Sequence, residues 1–531
     1  MSPIHSISAS LARRAPRVNR WGTLWSPTTL PVARPDRFDT RSIPTVAAAA
    51  AGSFAGRAPV LRDLPGDLNT PEAVEHVNAL RHHAHAGKRV KRSDFFHYNK
   101  VSDDNSLKLY TDREYFTDAL LPMIEGAQDS IHMAFLDIDG GELAQHITES
   151  LIAKKSENPD MEIRILTDGL GSYNFFPWSR PMRNIRRLRQ AGVEVVINNV
   201  MRDGLEHRKL LLVDGKEACW GAACLADRYF GNEDYWKAFK SIPLDERPAA
   251  RSEIFSPGES SPFEITPELK RPEFHDFGMK VSGSSVDGLQ AAFMQSWLQH
   301  DRRLNPEMSD ADFAKRYFRA GTSGGKDKGT KVKMVHSVPG GDSQFRQSAL
   351  AVVDGATKTL DVNFPYILIP EFLEHLKAAA ARGVKIRLLT LSEEGTDLKI
   401  CWRITRTWYP ELFAAGDVEI HEHDAYSHCK FMVADKRLVF TSSGNAEWQS
   451  WEWAKDSRAL VDSPAFAAEV ERKIFAEDMS PERARVVTPE EVAARSWRVK
   501  VLGGLSNAVS WLFQTPRFRM RPRRKILNSV S

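Results

Sequence analysis

The sequence predicts an α/β fold built twice over, as two domains of roughly 200 residues, each a mostly parallel sheet covered by helices. Three observations predict it. Segments of helical spacing alternate with short apolar runs along most of the chain between Leu107 and Met479. The alternation then recurs at a nearly constant offset. "IRILTDG" at Ile163 matches "IRLLTLS" at Ile386, 223 residues on, and Gly192 matches Gly416, 224 residues on. Finally, "HRKLLLVD" (His207 to Asp214) and "HCKFMVAD" (His428 to Asp435) share the pattern His, any residue, Lys, four residues, Asp, 221 residues apart.

The elements follow in order. In the first copy "DREYFTDALLPMIEGAQD" reads as a helix and "SIHMAFLDI" as a buried strand. "ELAQHITESLIAKKS" is helical, "MEIRILTD" a strand, "MRNIRRLRQAG" a helix ending at glycine, and "VEVVINNV" a strand. The second copy repeats this. "DSQFRQSALAVVDGA" is a helix, "TLDVNFPYILI" a strand, "PEFLEHLKAAAARG" a helix and "VKIRLLTL" a strand, followed by the helix "YPELFAAG" and the strand "DVEIHEH". "RAGTSGGKDKGTK" (319–331) reads as a flexible linker between the copies. An insertion at 240–273 holds Pro243, Pro248, Pro257, Pro262, Pro267 and Pro272, too many for a central strand, and reads as a loop that could shape a substrate site.

Charge divides the chain. Residues 1–35 carry five arginines and residues 517–531 six basic residues, neither stretch with an acid, so the overall +4 becomes −7 for the body between them. An acidic body with basic ends argues against a nucleic-acid partner gripped over the whole face and suits tails that touch an anionic surface. Residues 1–95 read as a disordered or targeting leader followed by a helix that starts near Thr70-Pro71-Glu72. His76, His82, His83 and His85 lie there without a cysteine or carboxylate set to complete a metal site, and read as a solvated helix face. The four cysteines (Cys219, Cys224, Cys401, Cys429) form no paired framework and read as free thiols. No apolar run reaches the ~18 residues of a membrane span.

The repeated motif carries the chemistry. On an extended strand residues two apart share a face, so His207 sits with Lys209 and His428 with Lys430, while the aliphatic residues before Asp214 and Asp435 enter the core. Lysine neutralises phosphate oxygens, and histidine attacks phosphorus or carries a proton. One such triplet arises by chance in about one chain in twenty of this length. Two at matching places in duplicated halves do not.

These residues resemble the phospholipase D superfamily, in which two halves bring both motifs to one shared active-site cleft. "LYTDREYFTDALLPMIEGAQDSIHMAF", "RILTDGLGS", "LRQAGVEV", "NFPYILIP", "AAAARGVKIRLLT" and "FAAEVERKIFAEDM" are similar to its bacterial cardiolipin synthase branch. The resemblance implies two duplicated α/β/α sandwich domains. It implies a phosphohistidine at His207 with His428 as acid and base, the reverse being open, and Lys209 and Lys430 as phosphoryl clamps. Asp214 and Asp435 brace the site. After the second motif the family's Gly-Ser-x-Asn becomes Ser442-Ser443-Gly444-Asn445, so Asn445 is a phosphate donor, and Asp456 falls where an acid holds the histidine. "FHDFGMKVSG" supplies Asp276 as the partner of His207. After the first motif, Gly221-Ala222-Ala223-Cys224 loses the serine and the asparagine. One missing donor is worth about 2.7–4 kcal/mol by analogy with oxyanion holes.

The implied function is a phosphodiesterase or phosphatidyl transferase of cardiolipin synthase or phospholipase D type, acting on an anionic, phosphatidylglycerol-like phospholipid. No cofactor and no metal are implied, since two lysines supply the charge. A nucleic-acid phosphodiesterase and a weakened lipid-binding homologue are the alternatives. Such synthases often carry two N-terminal spanning helices that this chain lacks, so membrane association is expected to be peripheral, on a cytoplasmic protein, unless the leader exports it. "WRVKVLGGLSNAVSWLF" followed by a basic tail reads as an interfacial anchor or a docked terminal helix. Trp448, Trp451 and Trp453 read as core or as the cleft mouth. With both motifs in one chain, a monomer is expected. The expected domains are 1–95 leader and helix, 96–318 first domain with its insertion, 319–331 linker, 332–480 second domain, and 481–531 amphipathic segment and basic tail.

Overall fold

The computed structural model describes residues 101–169, 179–200, 204–230, 274–298, 300, 329–337, 344–396 and 398–494. The leader with its histidines, the insertion, most of the linker and the terminal anchor segment lie outside the described residues.

The first half contributes β1 (Val101–Thr111), β2 (Ser130–Phe135), β3 (Glu162–Asp168), β4 (Glu194–Asn198), β5 (Leu205–Glu206), β6 (Lys209–Val213), β7 (Glu217–Gly221), β8 (Phe274–His275) and β9 (Phe277–Ser282). The second contributes β10 (Thr330–His336), β11 (Thr359–Asn363), β12 (Lys385–Leu391), β13 (Val418–His423), β14 (Tyr426–Ser427), β15 (Phe431–Ala434), β16 (Leu438–Ser442), β17 (Ala454–Lys455), β18 (Ser457–Asp462) and β19 (Ala484–Val487). Fifteen of these strands join in one sheet, ordered β19-β13-β12-β11-β15-β16-β18-β10-β1-β9-β7-β6-β2-β3-β4. The seam is β1 against β10, antiparallel, and each strand is the other's counterpart in the duplication. Read outward from that seam, the two halves repeat the same order, and β19 is added at one edge. The duplicated α/β domains therefore share one continuous sheet.

Within the fifteen-stranded sheet, parallel pairing is confined to β2-β3-β4 and β11-β12-β13, where helices make the crossovers. The motif strands β6 and β15 insert antiparallel beside β2 and β11. Five of the seven first-half strands in the sheet still point one way. Every residue of β2 and β6 is buried, as expected of strands covered on both faces. One face of the first half packs on the helices Glu142–Glu157 and Arg180–Gln190. The other face packs with Ser285–Leu298 and with Phe466, Val470 and Ile474 of the second half in a single shared core. That common layer fixes one half against the other.

Three details differ from the sequence reading. Thr330 and Lys331, placed in the linker, open β10. Residues 484–487, placed in the terminal segment, are β19 on the edge of the second half, and the short helix Pro489–Ala493 follows. Asp214 and Asp435 do not brace the site. Both sit past the far end of their motif strands with φ of 55° and 52°, and five extended residues put them about 17 Å from the lysines. There the Asp214 carboxylate accepts from the N–H groups of Gln128, Asp129 and Ser130. Asp435 accepts from Thr357, Lys358 and Thr359 in the same way. Each carboxylate ties the end of the motif strand to the start of its neighbour.

Burial alone would raise the Asp435 carboxyl, but these N–H donors hold it below its ordinary value. The sign follows: its contribution is complete above the ordinary carboxylate range and lost as pH falls through the depressed folded value. Asp435→Ala should lower the unfolding free energy by about 1–2 kcal/mol at pH 7, after allowance for partial exposure. In urea titrations the gap to wild type should close on acidification.

Candidate active site

Each motif begins just before its strand, and the segment that presents the histidine is pinned by the opposite half. β5 pairs in parallel with β17, and β8 pairs in parallel with β14. The His207 N–H then donates to the Lys455 carbonyl at 3.0 Å, and the His428 N–H to the His275 carbonyl at 2.7 Å. The next residue along each of those segments is an aspartate. His207 Nδ1 lies 2.8 Å from Asp456 Oδ1, and His428 Nδ1 lies 2.7 Å from Asp276 Oδ2. This corrects the sequence reading, which paired Asp276 with His207 and put Asp456 beside His428. The partners are exchanged between halves.

The aspartates are fully buried, whereas the imidazoles keep 12% and 11% of their side-chain surface, so both rings reach solvent. With Nδ1 committed to carboxylate, Nε2 is the nitrogen left for chemistry. Lys209 and Lys430 are completely buried. Each folds back to donate to the carbonyl of its own motif histidine, at 2.7 and 2.6 Å. The two motifs converge electrostatically. Burial lowers the His207 imidazole below its ordinary value, against the pull of Asp456, and both Lys209 and Lys430 add to the depression. Burial, then Lys430, Lys209, His207 and Arg228, push His428 well below its ordinary value. Lys430 is itself brought down to about 7 by burial, with Lys209 adding to it. Two buried lysines beside two imidazoles that burial lowers suit an anionic group.

The carboxylates differ. Burial would raise Asp456, but His207, Lys209 and the Ser443 hydroxyl hold it below its ordinary value. Asp276 is raised by burial to about 7, against Lys430 and Lys209. The His428–Asp276 pair thus holds a proton near neutrality, while Asp456 stays ionised.

The loss after the first motif also has a structural reading. Ser443 and Ala222 occupy equivalent places: the Ser443 N–H donates to the Ser457 carbonyl, and the Ala222 N–H to the Phe277 carbonyl. The Ser443 hydroxyl donates to Asp456 at 2.7 Å and accepts from the Ser457 N–H at 3.0 Å. With alanine in its place, the Phe277 N–H donates directly to Asp276 Oδ1 at 2.7 Å. The serine thus serves the aspartate rather than the phosphate pocket, and backbone replaces it. Asn445 donates through Nδ2 to Glu447 at 3.0 Å. Cys224, its counterpart, is buried. Trp451 is core, packed edge-on to Phe372, and Trp448 is half-buried. The Trp453 side chain lies outside the described residues.

Sequence reasoning missed Lys455 and His275, the residues before the exchanged aspartates. Lys455 reaches Asn198 Oδ1 at 3.2 Å in the first half. His275 lies between Asp112 (2.9 Å) and Asp478 (3.3 Å). Burial would lower the His275 imidazole, but Asp478 and Asp112 raise it to about 10. Among the described residues, His275, Cys429 and Asp478 bring metal-ligating atoms within 4.8 Å of one another. The imidazolium already supplies the charge those carboxylates need, so the cluster reads as a structural ion pair. Among the described residues no helix is long and apolar enough to cross a membrane.

Comparison with known proteins agrees with this geometry. Residues 120–235 and 350–479 match the domain family described as "Cardiolipin synthase, PLD-like domain". The chain is 24% identical over 367 residues to a cardiolipin synthase of Halalkalibacterium halodurans and 25% identical over 362 to cardiolipin synthase 1 of Bacillus anthracis, covering 66% of this chain each time. It spans 62% of the length of both. A cardiolipin synthase of Staphylococcus aureus is 24% identical over 77% of this chain and 74% of that protein. Among solved structures, a phosphatidylserine synthase of Haemophilus influenzae shares the fold, with TM-score 0.53 and 14% identity over 76% of this chain and 94% of its own. With a matched domain around each motif, the two halves resemble the cardiolipin synthase PLD-like domain family, and the chain is similar to the bacterial cardiolipin synthases.

Proposed function

We propose that the protein is a phosphatidyl transferase or phospholipase D that works through a phosphohistidine on an anionic, phosphatidylglycerol-like phospholipid. The observation that carries this is the pair of imidazoles, each oriented by an ionisable aspartate from the other half, beside two buried lysines. His207 is the nucleophile. Ionised Asp456 holds its Nδ1–H, so Nε2 attacks phosphorus while the bond to the leaving alcohol breaks. His428 delivers the proton to that alcohol, from a pair in which Asp276 keeps a proton available near neutrality. His428 then takes the proton of an acceptor alcohol or water, whose oxygen attacks phosphorus and releases His207. Lys209 and Lys430 neutralise the phosphoryl oxygens throughout, with Asn445 as a further donor. One chain supplies both motifs, so a monomer suffices. We infer peripheral contact with the lipid surface from the cytoplasmic side.

Pure protein given phosphatidylglycerol vesicles should release glycerol and form cardiolipin or phosphatidic acid, and leave single-stranded DNA intact. Shortened DNA would make it a nuclease, and inert substrates a lipid-binding homologue. His207→Ala and His428→Ala should each cost at least about a thousandfold in turnover. The exchanged pairing makes a sharper prediction. Under a denaturing quench during turnover, Asp276→Asn, which slows both the protonation of the leaving alcohol and the release of the adduct, should still leave detectable phosphatidyl-His207. Asp456→Asn, which disturbs the nucleophile, should form little adduct. Mass spectrometry of the quenched enzyme distinguishes the two.

A further inference from the structure

Counterpart positions in the two halves carry different chemistry around the cleft. The bridges Ile138–Leu225 and Ile367–Ala446 are equivalent, so Arg228 corresponds to Gln449 and Glu447 to Ala226. Likewise the paired segments β8/β14 and β17/β5 match Phe274 with Ala454 and Tyr426 with Leu205. Of these matched segment positions, those on the His428 side carry aromatic rings and those on the His207 side do not. Phe274 stacks on Tyr426 at 4.2 Å and meets Tyr229 edge-on at 5.1 Å. All three rings lie 5.7–5.9 Å from the His428 imidazole. Arg228 lies beside these rings, its guanidinium carbon 5.0 Å from the Tyr229 ring and 5.9 Å from Phe274. Its charge helps push the His428 imidazole down.

The arginine is held firmly. Arg228 Nη2 donates to Asp137 Oδ2 at 2.6 Å. The preceding residue, Asp227, accepts from the Glu142 and Leu143 N–H groups at 3.0 and 2.9 Å, which fixes the turn Asp227–Tyr229 on the start of a helix. Asp137 is buried, whereas 35% of the Arg228 side chain is exposed. A planar, permanently charged fork beside aromatic rings suits a phosphate group. It is also a second cationic place, apart from the two lysines that take the reacting phosphorus.

We propose that Arg228 is a specificity-determining residue that binds the phosphate of a phosphate-bearing acceptor alcohol, whose hydroxyl His428 deprotonates. This rests on the transferase reading. Acceptors that lack a phosphate, glycerol and water, gain nothing from it. Arg228 would also restore, on the acceptor side, polar recognition that Cys224 cannot offer in place of asparagine.

The test uses phosphatidylglycerol vesicles as donor, with glycerol 3-phosphate or glycerol as acceptor. Wild type should show the lower KM for glycerol 3-phosphate. Arg228→Gln should raise that KM about tenfold or more relative to the KM for glycerol, and Arg228→Lys, which keeps the charge, should recover part of the loss. Equal changes for both acceptors, or none for either, would overturn the proposal. If wild type transfers to no acceptor, the transferase reading fails by itself, and calorimetric titration with inorganic phosphate still decides the arginine. Two phosphates per wild-type chain and one per Arg228→Gln chain support it, and equal numbers refute it.

Discussion

Each motif histidine is oriented by a carboxylate that belongs to the other half, and the rest of the molecule follows from that exchange. A duplicated domain with its own histidine and its own aspartate could work alone. Here neither half holds a complete pair, so the site exists only while Asp456 reaches His207 and Asp276 reaches His428. The short parallel ladders β5–β17 and β8–β14 place those aspartates through backbone hydrogen bonds one residue away. Lys455 and His275, next to them in sequence, anchor the same crossings with buried ion pairs. The seam β1–β10 and the shared core on one face keep the two crossings in register. Imidazole position is thus tied to the packing of one half on the other.

That constraint explains what could be read from the sequence. Elements covered on both faces declare themselves: β2, β3, β11 and β12 are largely buried around aliphatic residues such as Ile131, Ile165, Leu360 and Leu388, and the helices between them have the expected spacing. The motifs were legible because repetition at one offset is hard to produce by chance. The aspartates were found as residues but assigned to the wrong histidines, because spacing along a chain records only the half in which a residue lies. Asp214 and Asp435 show a related limit. Their place in the motif suggests proximity to the histidine, yet an extended strand carries them to its far end, where they bind strand-starting N–H groups. Arg228 left no signal, since a single arginine in "ADRYFG" has no periodicity. Superimposing the halves position by position exposes it against Gln449.

The same superposition shows why a duplicated site need not act symmetrically. Two identical histidines with identical partners would have equal claims on attack and on proton transfer, and a two-step displacement needs them in opposite protonation states at the start. Ser443 against Ala222, Glu447 against Ala226 and Arg228 against Gln449 break that symmetry. On the His207 side stands an ionised aspartate served by a serine hydroxyl, together with Glu447, whose carboxyl burial raises. On the His428 side stands an aspartate raised by burial, with an extra guanidinium that further disfavours the imidazolium. With the Asp276 carboxyl raised and the His428 imidazole lowered, the two compete for a proton more evenly than Asp456 and His207 do, which suits a group that must both give and take a proton within one turnover. The departures after the first motif, which by sequence look like decay, are at these positions the differences that tell the two halves apart.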